Sequence, residues 1–474
     1  MLPTPENYAI YPAVVPSNKE TDMAIIPTEK AFYFVEDSKY ELTIIGQDND
    51  EPNYKCLTSH EKITVEGHGG VLRFAYTFAG EQKYLILIKK EDETLLGTVA
   101  LYALHEDLYD LTPLKTDLHS HSCRSDGARD PSAEAGHYRE QGYDCFALTD
   151  HNRFYPGGEI DETFDGVETS FFRIPGEEVH APGSIVHIVH IGGKSSVDEI
   201  YCKDEARFTR ETDEYMTKVP SHVPEQYRER YAKSMWATDK IHEAGGIAIF
   251  PHPFWLPGSS KTHNVCVEFA KILLRSGMFD AYELIGGMKQ LGNNLSVALW
   301  SEMREEGVKI PVVGSSDVHK FEKSVEFPHQ FTICFAKTAT PDGVKEAIKA
   351  GNTVAVEATG TEYERHHRCY GSLRLVMYAQ FLLAHFYPKA QRIATSEGVA
   401  MRAYAIGEAE KELVEVQAKY AKDFRDRFFG KQPPIFPSKK HLAFEDKWRA
   451  IQLQGPRTKG SGIRPDPNKP VTII

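Results

Sequence analysis

The alternation of hydrophobic and polar positions changes rhythm twice along the chain. Up to about residue 112 short runs carry β-branched and aromatic residues: Ala31–Val35, Tyr40–Ile45, Val71–Phe78, Tyr84–Lys89 and Leu96–Tyr102. Clusters of Gly, Asn, Asp or Glu separate them, and the pattern predicts a small β-sandwich-like domain over residues 1–112. Gly67-His68-Gly69-Gly70 has the composition of an esterase oxyanion loop. No GxSxG follows it anywhere, so a hairpin turn is expected there.

From about residue 113 to 358, apolar strand-like runs alternate with helical periodicity. The runs are Asp144–Thr149, Ile185–Ile191, Ile247–Phe250, Ala281–Ile285, Ile310–Gly314 and Phe331–Phe335. Helices are expected over Pro131–Gln141, Glu225–Glu243, Val265–Ser276, Leu295–Glu306 and Pro341–Ala350. Pro131 and Pro341 suit a first helical turn, and Gly142, Gly277, Gly307 and Gly351 suit helix ends. The class is α/β, with a parallel sheet or barrel. Beyond about residue 360 strands give way to charged helical sequence such as Glu408–Phe429. The segment Gln454–Ile474, rich in Pro, Gly, Lys and Arg, has too few apolar residues for a core of its own. Residues 359–474 therefore form a helical extension with an irregular tail.

Composition narrows the function. The 474 residues are 41% hydrophobic and 26% charged, enough for a sizeable core. A formal net charge of −13 excludes a general nucleic-acid surface, which needs a basic stripe. It permits a small anionic substrate, because bound divalent cations would reverse the local sign. Seven scattered cysteines form no CxxC, which argues against a disulfide framework or a cysteine zinc site. No basic segment followed by an apolar stretch opens the chain, and Leu373–Phe386, the most apolar stretch, is too short to span a bilayer and holds Arg374 and Gln380. A cytoplasmic enzyme with no membrane contact is expected, with homo-oligomer formation through the terminal regions as a further expectation.

Candidate chemistry clusters at the ends of the apolar runs. Twelve of the 20 histidines lie between His119 and His319. His119 and His121 stand two apart after an apolar run and would leave a strand on one face. Asp117 shares that face and could accept a hydrogen bond from a ligating imidazole. Asp126 follows in Ser-Asp-Gly, His151 closes Cys145–Asp150, and Glu178 follows Ile174-Pro175-Gly176 with Glu177 as an alternative occupant. Either His187 or His190 could face inward, but not both, being three apart on a strand. His252 is held between Pro251 and Pro253, and Asp317 and His319 share a face after Val312-Val313-Gly314. Imidazole and carboxylate together are the ligands of hydrolytic Zn, Mn or Fe centres.

The ordered set Asp117–Ser122 (DLHSHS), Ser-Asp-Gly, Thr149–Asn152, Pro175–Glu178, His187, Pro251–Pro253 and Ser315–His319 (SSDVH) resembles the PHP superfamily, named for polymerase and histidinol phosphatase domains. The resemblance covers residues 113–340, closest to its stand-alone phosphoesterases. It implies a distorted (β/α)7 TIM-like PHP barrel with two or three divalent cations, Mn, Zn or Fe, at the C-terminal face. Carried over by position, His119, His121, Glu178 and Asp317 would hold one cation. Glu178, His187 and His252 would hold a second, and Asp126, His151 and His319 a third. Members of this branch tend to carry an arginine shortly after the His-Pro pair to clamp phosphate, whereas this chain reads His252-Pro253-Phe254-Trp255. Phe254 and Trp255 could line an apolar pocket or stack on a ring. A clamp would then come from Arg124, Lys320, or one of Arg207, Arg210, Arg228 and Arg230.

The resulting expectation is a metal-dependent phosphoesterase acting on a small phosphomonoester or phosphodiester through an activated water. An unligated histidine, His190 or His180, would protonate the leaving group. The competing expectations are a non-phosphate ester or amide hydrolase using the same metals, and a catalytically inactive binding protein.

Overall fold

The computed structural model describes residues 7–48, 61–257, 261–321, 324, 326–360 and 365–454. Period-two alternation in the first hundred residues produces one sheet of eight described strands. From edge to edge they are Tyr8–Tyr11, Glu20–Pro27, Val71–Thr77, Glu61–His68, Lys39–Gly46, Gln82–Lys90, Leu95–Leu104 and Val14–Pro16. The sheet folds back on itself, so that a Cβ at Gly97 would come within 2.8 Å of the Tyr8 ring. Gly69 and Gly70, at φ 61° and 77°, make the tight hairpin between Glu61–His68 and Val71–Thr77. The strand expected at Ala31–Val35 does not form. Lys30–Phe32 is a 3-10 turn, and Phe34 packs its ring on Tyr8 at 5.0 Å and Tyr40 at 4.9 Å.

Two further sheets follow. The six-stranded one runs Phe172–Ile174, Cys145–Ala147, Thr112–Asp117, Gln330–Ala336, Thr353–Gly360 and Arg365–Tyr370. The five-stranded one runs Gly176–Val179, Ile188–Ile191, Ile247–Phe250, Ala281–Ile285 and Val312–Gly314. Parallel bridges Ser120↔Val318 and His151↔Glu178 join the two into a nearly closed barrel. The strands are not all parallel, as the alternation had suggested. Ile188–Ile191 runs antiparallel to both neighbours, and residues 180–187, which join it to Gly176–Val179, are fewer than the dozen or so that a parallel crossover needs. Gln330–Ala336 is antiparallel to Thr112–Asp117 as well.

Helices Pro131–Glu140, Arg228–Glu243, Val267–Ser276, Gln290–Glu305 and Pro341–Lys349 surround these sheets. Asp130 and Thr340 cap two of them by accepting from Ala133 N and Gly343 N, and Gly277 ends a third at φ 73°. Beyond residue 360 one more strand, Arg365–Tyr370, precedes the helices Leu373–His385, Tyr387–Ala405, Lys411–Phe428 and Lys439–Gln454. Of the irregular tail, residues 455–474 lie outside the described residues. Tyr378 on the first of these helices packs on Tyr102 of the N-terminal sheet at 5.2 Å and on Phe335 of the middle sheet at 5.4 Å, within one apolar core. Among the described residues no helix is long and apolar enough to cross a membrane.

The helix Tyr387–Ala405 lies directly on Pro131–Glu140, and glycines set how closely. A Cβ at Gly398 would meet the Gly136 carbonyl oxygen at 2.5 Å. Beside this crossing the fully buried Glu397 receives Arg139 Nε at 2.6 Å, Ser170 N at 2.7 Å and Ser170 Oγ at 2.6 Å. Removing one partner of a buried pair strands the other charge at a cost of about 3–5 kcal/mol. Glu397→Ala is therefore expected to lower unfolding free energy by about 3 kcal/mol, read from denaturant titration. A loss below about 1 kcal/mol would show that Arg139 finds another partner.

Candidate metal centre

The barrel strands deliver their polar residues just past their ends. His119 and His121 follow Thr112–Asp117, His151 follows Cys145–Ala147, and His252 follows Ile247–Phe250. Asp317 and His319 follow Val312–Gly314, while Glu178 sits within Gly176–Val179. The bridges Ser120↔Val318 and His151↔Glu178 bring these ends together. Asp117 clamps two of them: its Oδ1 accepts from Ser316 N at 3.0 Å and His119 N at 3.3 Å, and its Oδ2 accepts from Tyr138 at 2.9 Å. Asp317 and His252 take positive φ, 51° and 21°, a backbone strain of the kind that surrounding structure holds at functional sites.

Nine residues singled out in the sequence converge. His119, His121, Glu178 and Asp317 form one group, Glu178, His187 and His252 a second, and His121, Asp126, His151 and His319 a third. Within each group the donor atoms lie within 4.8 Å of one another. In the first, His119 Nε2 is 3.2 Å from Glu178 Oε2 and 3.3 Å from Asp317 Oδ1, and His121 Nε2 is 3.4 and 3.0 Å from the same atoms. In the second, Glu178 Oε1 is 2.8 Å from His187 Nδ1 and 3.2 Å from His252 Nε2. In the third, Asp126 Oδ2 is 3.3 Å from His319 Nε2 and 3.5 Å from His151 Nε2.

These distances suit a divalent cation. Metal–N and metal–O bonds of about 2.1 Å at octahedral or tetrahedral angles place neighbouring ligands about 3.0–3.4 Å apart. His119 Nε2, both nitrogens of His121, Glu178 Oε2 and Asp317 Oδ1 are buried and have no hydrogen-bond partner in spite of their proximity. Their lone pairs converge on common points instead of meeting protons, and buried polar atoms left so need another partner.

Electrostatics follow from the same crowding. Burial opposes charge on His119, His151 and His252, but the carboxylates beside them, Asp317 and Glu178 foremost, outweigh it and hold all three imidazoles above their ordinary range. Burial prevails at His121 and His187, which are pushed down to about 4. Burial also works against ionisation of Glu178 and Asp317. His119 leads the imidazoles that overcome it, so both carboxyls lie well below the usual carboxylate range.

Several expectations change. His190 is fully buried on the opposite face: it pairs with Glu177 Oε1 at 2.9 Å, and Glu177 also accepts from Ser196 Oγ and Val197 N. The pleat explains this, since Glu177 is the register partner of His190 and Glu178 that of Val189. His190 therefore cannot serve as proton donor to the site. Arg124 is exposed and paired with Glu159 at 2.6 and 2.8 Å, outside the pocket wall. Arg207, Arg210, Arg228 and Arg230 do not line the pocket either, whereas Lys320 and Trp255 do. Phe254 is buried against His263 at 5.2 Å. Asp117 does not orient an imidazole as expected. That contact belongs to Glu283, whose Oε2 lies 3.0 Å from His119 Nδ1. Glu283 lies in the apolar strand Ala281–Ile285, and a carboxylate in a fully buried run was the signal available. His180 also joins: its ring lies 3.7 Å from that of His187 and 4.4 Å from that of His151.

No protein-family model matches the chain, and no curated protein matches it by sequence. Among solved structures it is similar to a two-domain protein from Bacteroides vulgatus containing a predicted PHP-like metal-dependent phosphoesterase, with 22% identity and a TM-score of 0.35 over 52% of this chain and 65% of that one. The chain thus spans just under two thirds of that protein. A candidate metal-dependent phosphoesterase from Bifidobacterium adolescentis is 16% identical at a TM-score of 0.32, covering 50% of this chain and 96% of the other. An amidohydrolase from Chromobacterium violaceum, solved with sulfate and no metal, is 17% identical at a TM-score of 0.29, covering 44% and 89%. All three likenesses lie below a TM-score of 0.5, and the functional reading rests on the residues themselves.

Two outcomes follow from the geometry. The neighbouring carboxylates hold protons on His119, His151 and His252 to higher pH than on ordinary imidazoles, and a cation must displace them, so loading with Mn or Zn should release protons and apparent affinity should fall as pH is lowered. Calorimetry in buffers of different ionisation enthalpy measures the release, and none at pH 7 would contradict the assignment. Gly287, at φ 57°, leaves room beside the centre: an added Cβ would lie 2.6 Å from Asp317 Oδ2 and 3.0 Å from His252 Cδ2. Gly287→Ala should weaken metal retention about 10- to 100-fold, measured by equilibrium dialysis.

Proposed function

We propose that the chain is a metal-dependent hydrolase whose substrate is a small phosphomonoester or phosphodiester. The observation that carries this reading is the Glu178 carboxylate, one oxygen facing His119, His121 and His151 and the other facing His187 and His252. His119, His121, Glu178 and Asp317 would hold one cation, Glu178, His187 and His252 a second, and Asp126, His151 and His319, with His121 within reach, a third. Bound there, Mn, Zn or Fe would acidify a coordinated water and offset the charge of phosphoryl oxygens. The barrel is read as a distorted (β/α)7 type over residues 113–358, with 1–112 and 359–474 as flanking domains.

The chain's own residues supply the rest. Lys320 stands in the pocket wall as a cation for a phosphoryl oxygen. His180, with Nε2 3.6 Å from Glu178 Oε1, is the imidazole beside the cluster that would hand a proton to the leaving group. Trp255 lies 5.8 Å from His187 and 5.9 Å from His252 between ring centroids, and offers a flat apolar wall to the leaving group. The cavity is about 480 Å³, the size for a small molecule.

The second reading, a carboxylic ester or amide hydrolase, is favoured by Trp255 and by the lack of arginine among the residues lining the pocket. A panel of phosphate and carboxylate esters assayed with added Mn separates the two. Turnover of the phosphate esters is expected, and turnover of the carboxylate esters alone would overturn the first reading. His119→Ala and Asp317→Ala should each lose bound metal and lower kcat/KM at least about a hundredfold. His180→Gln should lower kcat by about 10²- to 10⁴-fold while retaining metal, with a smaller loss on p-nitrophenyl esters, whose leaving group needs no proton. Equal losses on good and poor leaving groups would remove His180 from that role.

A further inference from the structure

A second cavity, of about 620 Å³, opens between the six-stranded sheet and the C-terminal helices. It shares Ser324 with the metal-site pocket, and no other lining residue. Its polar wall is one-sided: Lys115, His329, Arg365 and His367 line it together, with no carboxylate among the lining residues. Among the described residues neither Arg365, His329 nor His367 forms an ion pair, and His329 Nδ1 is buried with no hydrogen-bond partner. Lys115 donates to Gln141 O at 2.9 Å and lies over the rings of Tyr143 and Phe331 at 4.1 and 4.7 Å. Asp144, whose Oδ2 accepts from Lys115 N at 2.9 Å, is also engaged by Arg425 and lies 3.8 Å from Arg139. His329 Nδ1 is a buried polar atom left without a partner, and beside the cations Lys115 and Arg365 such an atom suits an anionic ligand that brings acceptor oxygens.

The effect on the groups is consistent. Burial pushes the Lys115 ammonium down to about 7, against the pull of the Asp144 carboxylate and with Arg365 adding to the shift. Burial, followed by the nearby cations, pushes His329 and His367 down to about 4. The remaining wall is apolar and partly aromatic, from Phe327, Phe331, Leu383 and Tyr387. Four nitrogen-bearing side chains beside rings suit an anion with several acceptor oxygens on an organic body.

We propose that this cleft is a second ligand site, which binds a small phosphate-bearing organic molecule through Lys115, Arg365, His329 and His367. It is independent of the hydrolytic reading, because none of these residues belongs to the metal centre.

The probe is phenylphosphonate, which carries the oxyanion and a ring and resists hydrolysis, titrated by calorimetry into the full chain stripped of metal. Saturable binding is expected, with inorganic phosphate weaker and benzoate weaker still. Lys115→Met and Arg365→Gln should each weaken phenylphosphonate about tenfold or more, and Asp317→Asn should leave it unchanged. Arg365 is exposed, so its variant keeps the test decisive if Lys115→Met fails to fold. Absence of binding, or wild-type binding in Arg365→Gln, would overturn the proposal. So would binding that appears only once Mn is restored, which would place the probe in the metal centre. Benzoate binding as tightly as phenylphosphonate would replace the phosphate assignment by a carboxylate one and overturn it in the form given.

Discussion

Glu178 is a buried carboxylate within 2.8–3.6 Å of six imidazoles: His119, His121, His151, His180, His187 and His252. Such an arrangement is costly in a protein interior. Every imidazole that donates to the carboxylate must be protonated or tautomerically fixed, and the others leave lone pairs in a site with little water. Two carboxylates, Asp126 and Asp317, add charge of the same sign as Glu178. Divalent cations at the points where the lone pairs meet are the simplest way to satisfy the set, and much of the surrounding structure serves to hold it.

That support is visible in the joints of the barrel. The two middle sheets meet through single bridges, and the residues at those bridges, Ser120, Val318, His151 and Glu178, are ligand candidates or their immediate neighbours. Asp117 ties the end of one strand to the loop of another by accepting from backbone nitrogens of both. Glu283 fixes the rotation of His119 from behind, leaving Nε2 toward the centre. The positive φ at Asp317 and His252 is strain that a packed barrel can hold and an isolated loop would release. Barrel closure and assembly of the centre are thus one event, since the same contacts make both.

Much of the site was legible because its residues obey strand periodicity. His119 with His121, and Asp317 with His319, are two apart at the ends of apolar runs, and their convergence needed only that those runs become neighbouring strands. Strand periodicity alone left His187 and His190 open, and the motif resemblance placed His187 among the ligands. The choice depends on the antiparallel register of Gly176–Val179 with Ile188–Ile191, which turns Glu177 and His190 to one face and leaves Glu178 on the other. Glu283 was hidden for a similar reason, because it meets His119 across 164 residues of chain. Arg124, one of the clamp candidates, pairs instead with a surface partner, Glu159, that no local pattern reveals. In the N-terminal region Tyr8–Tyr11 escaped notice because it is only four residues long and Pro12 follows it, and Glu20–Pro27 because Glu20 and Asp22 break its apolar pattern and one of its two partners, Val71–Thr77, lies about fifty residues on.

Whether Glu178 stands between cations is decided by anomalous diffraction. Crystals grown with Mn and measured at the Mn absorption edge should give separate peaks on the two sides of the Glu178 carboxylate, one beside His119, His121 and Asp317 and one beside His187 and His252. A metal-replete crystal with no anomalous density in contact with Glu178 would contradict it.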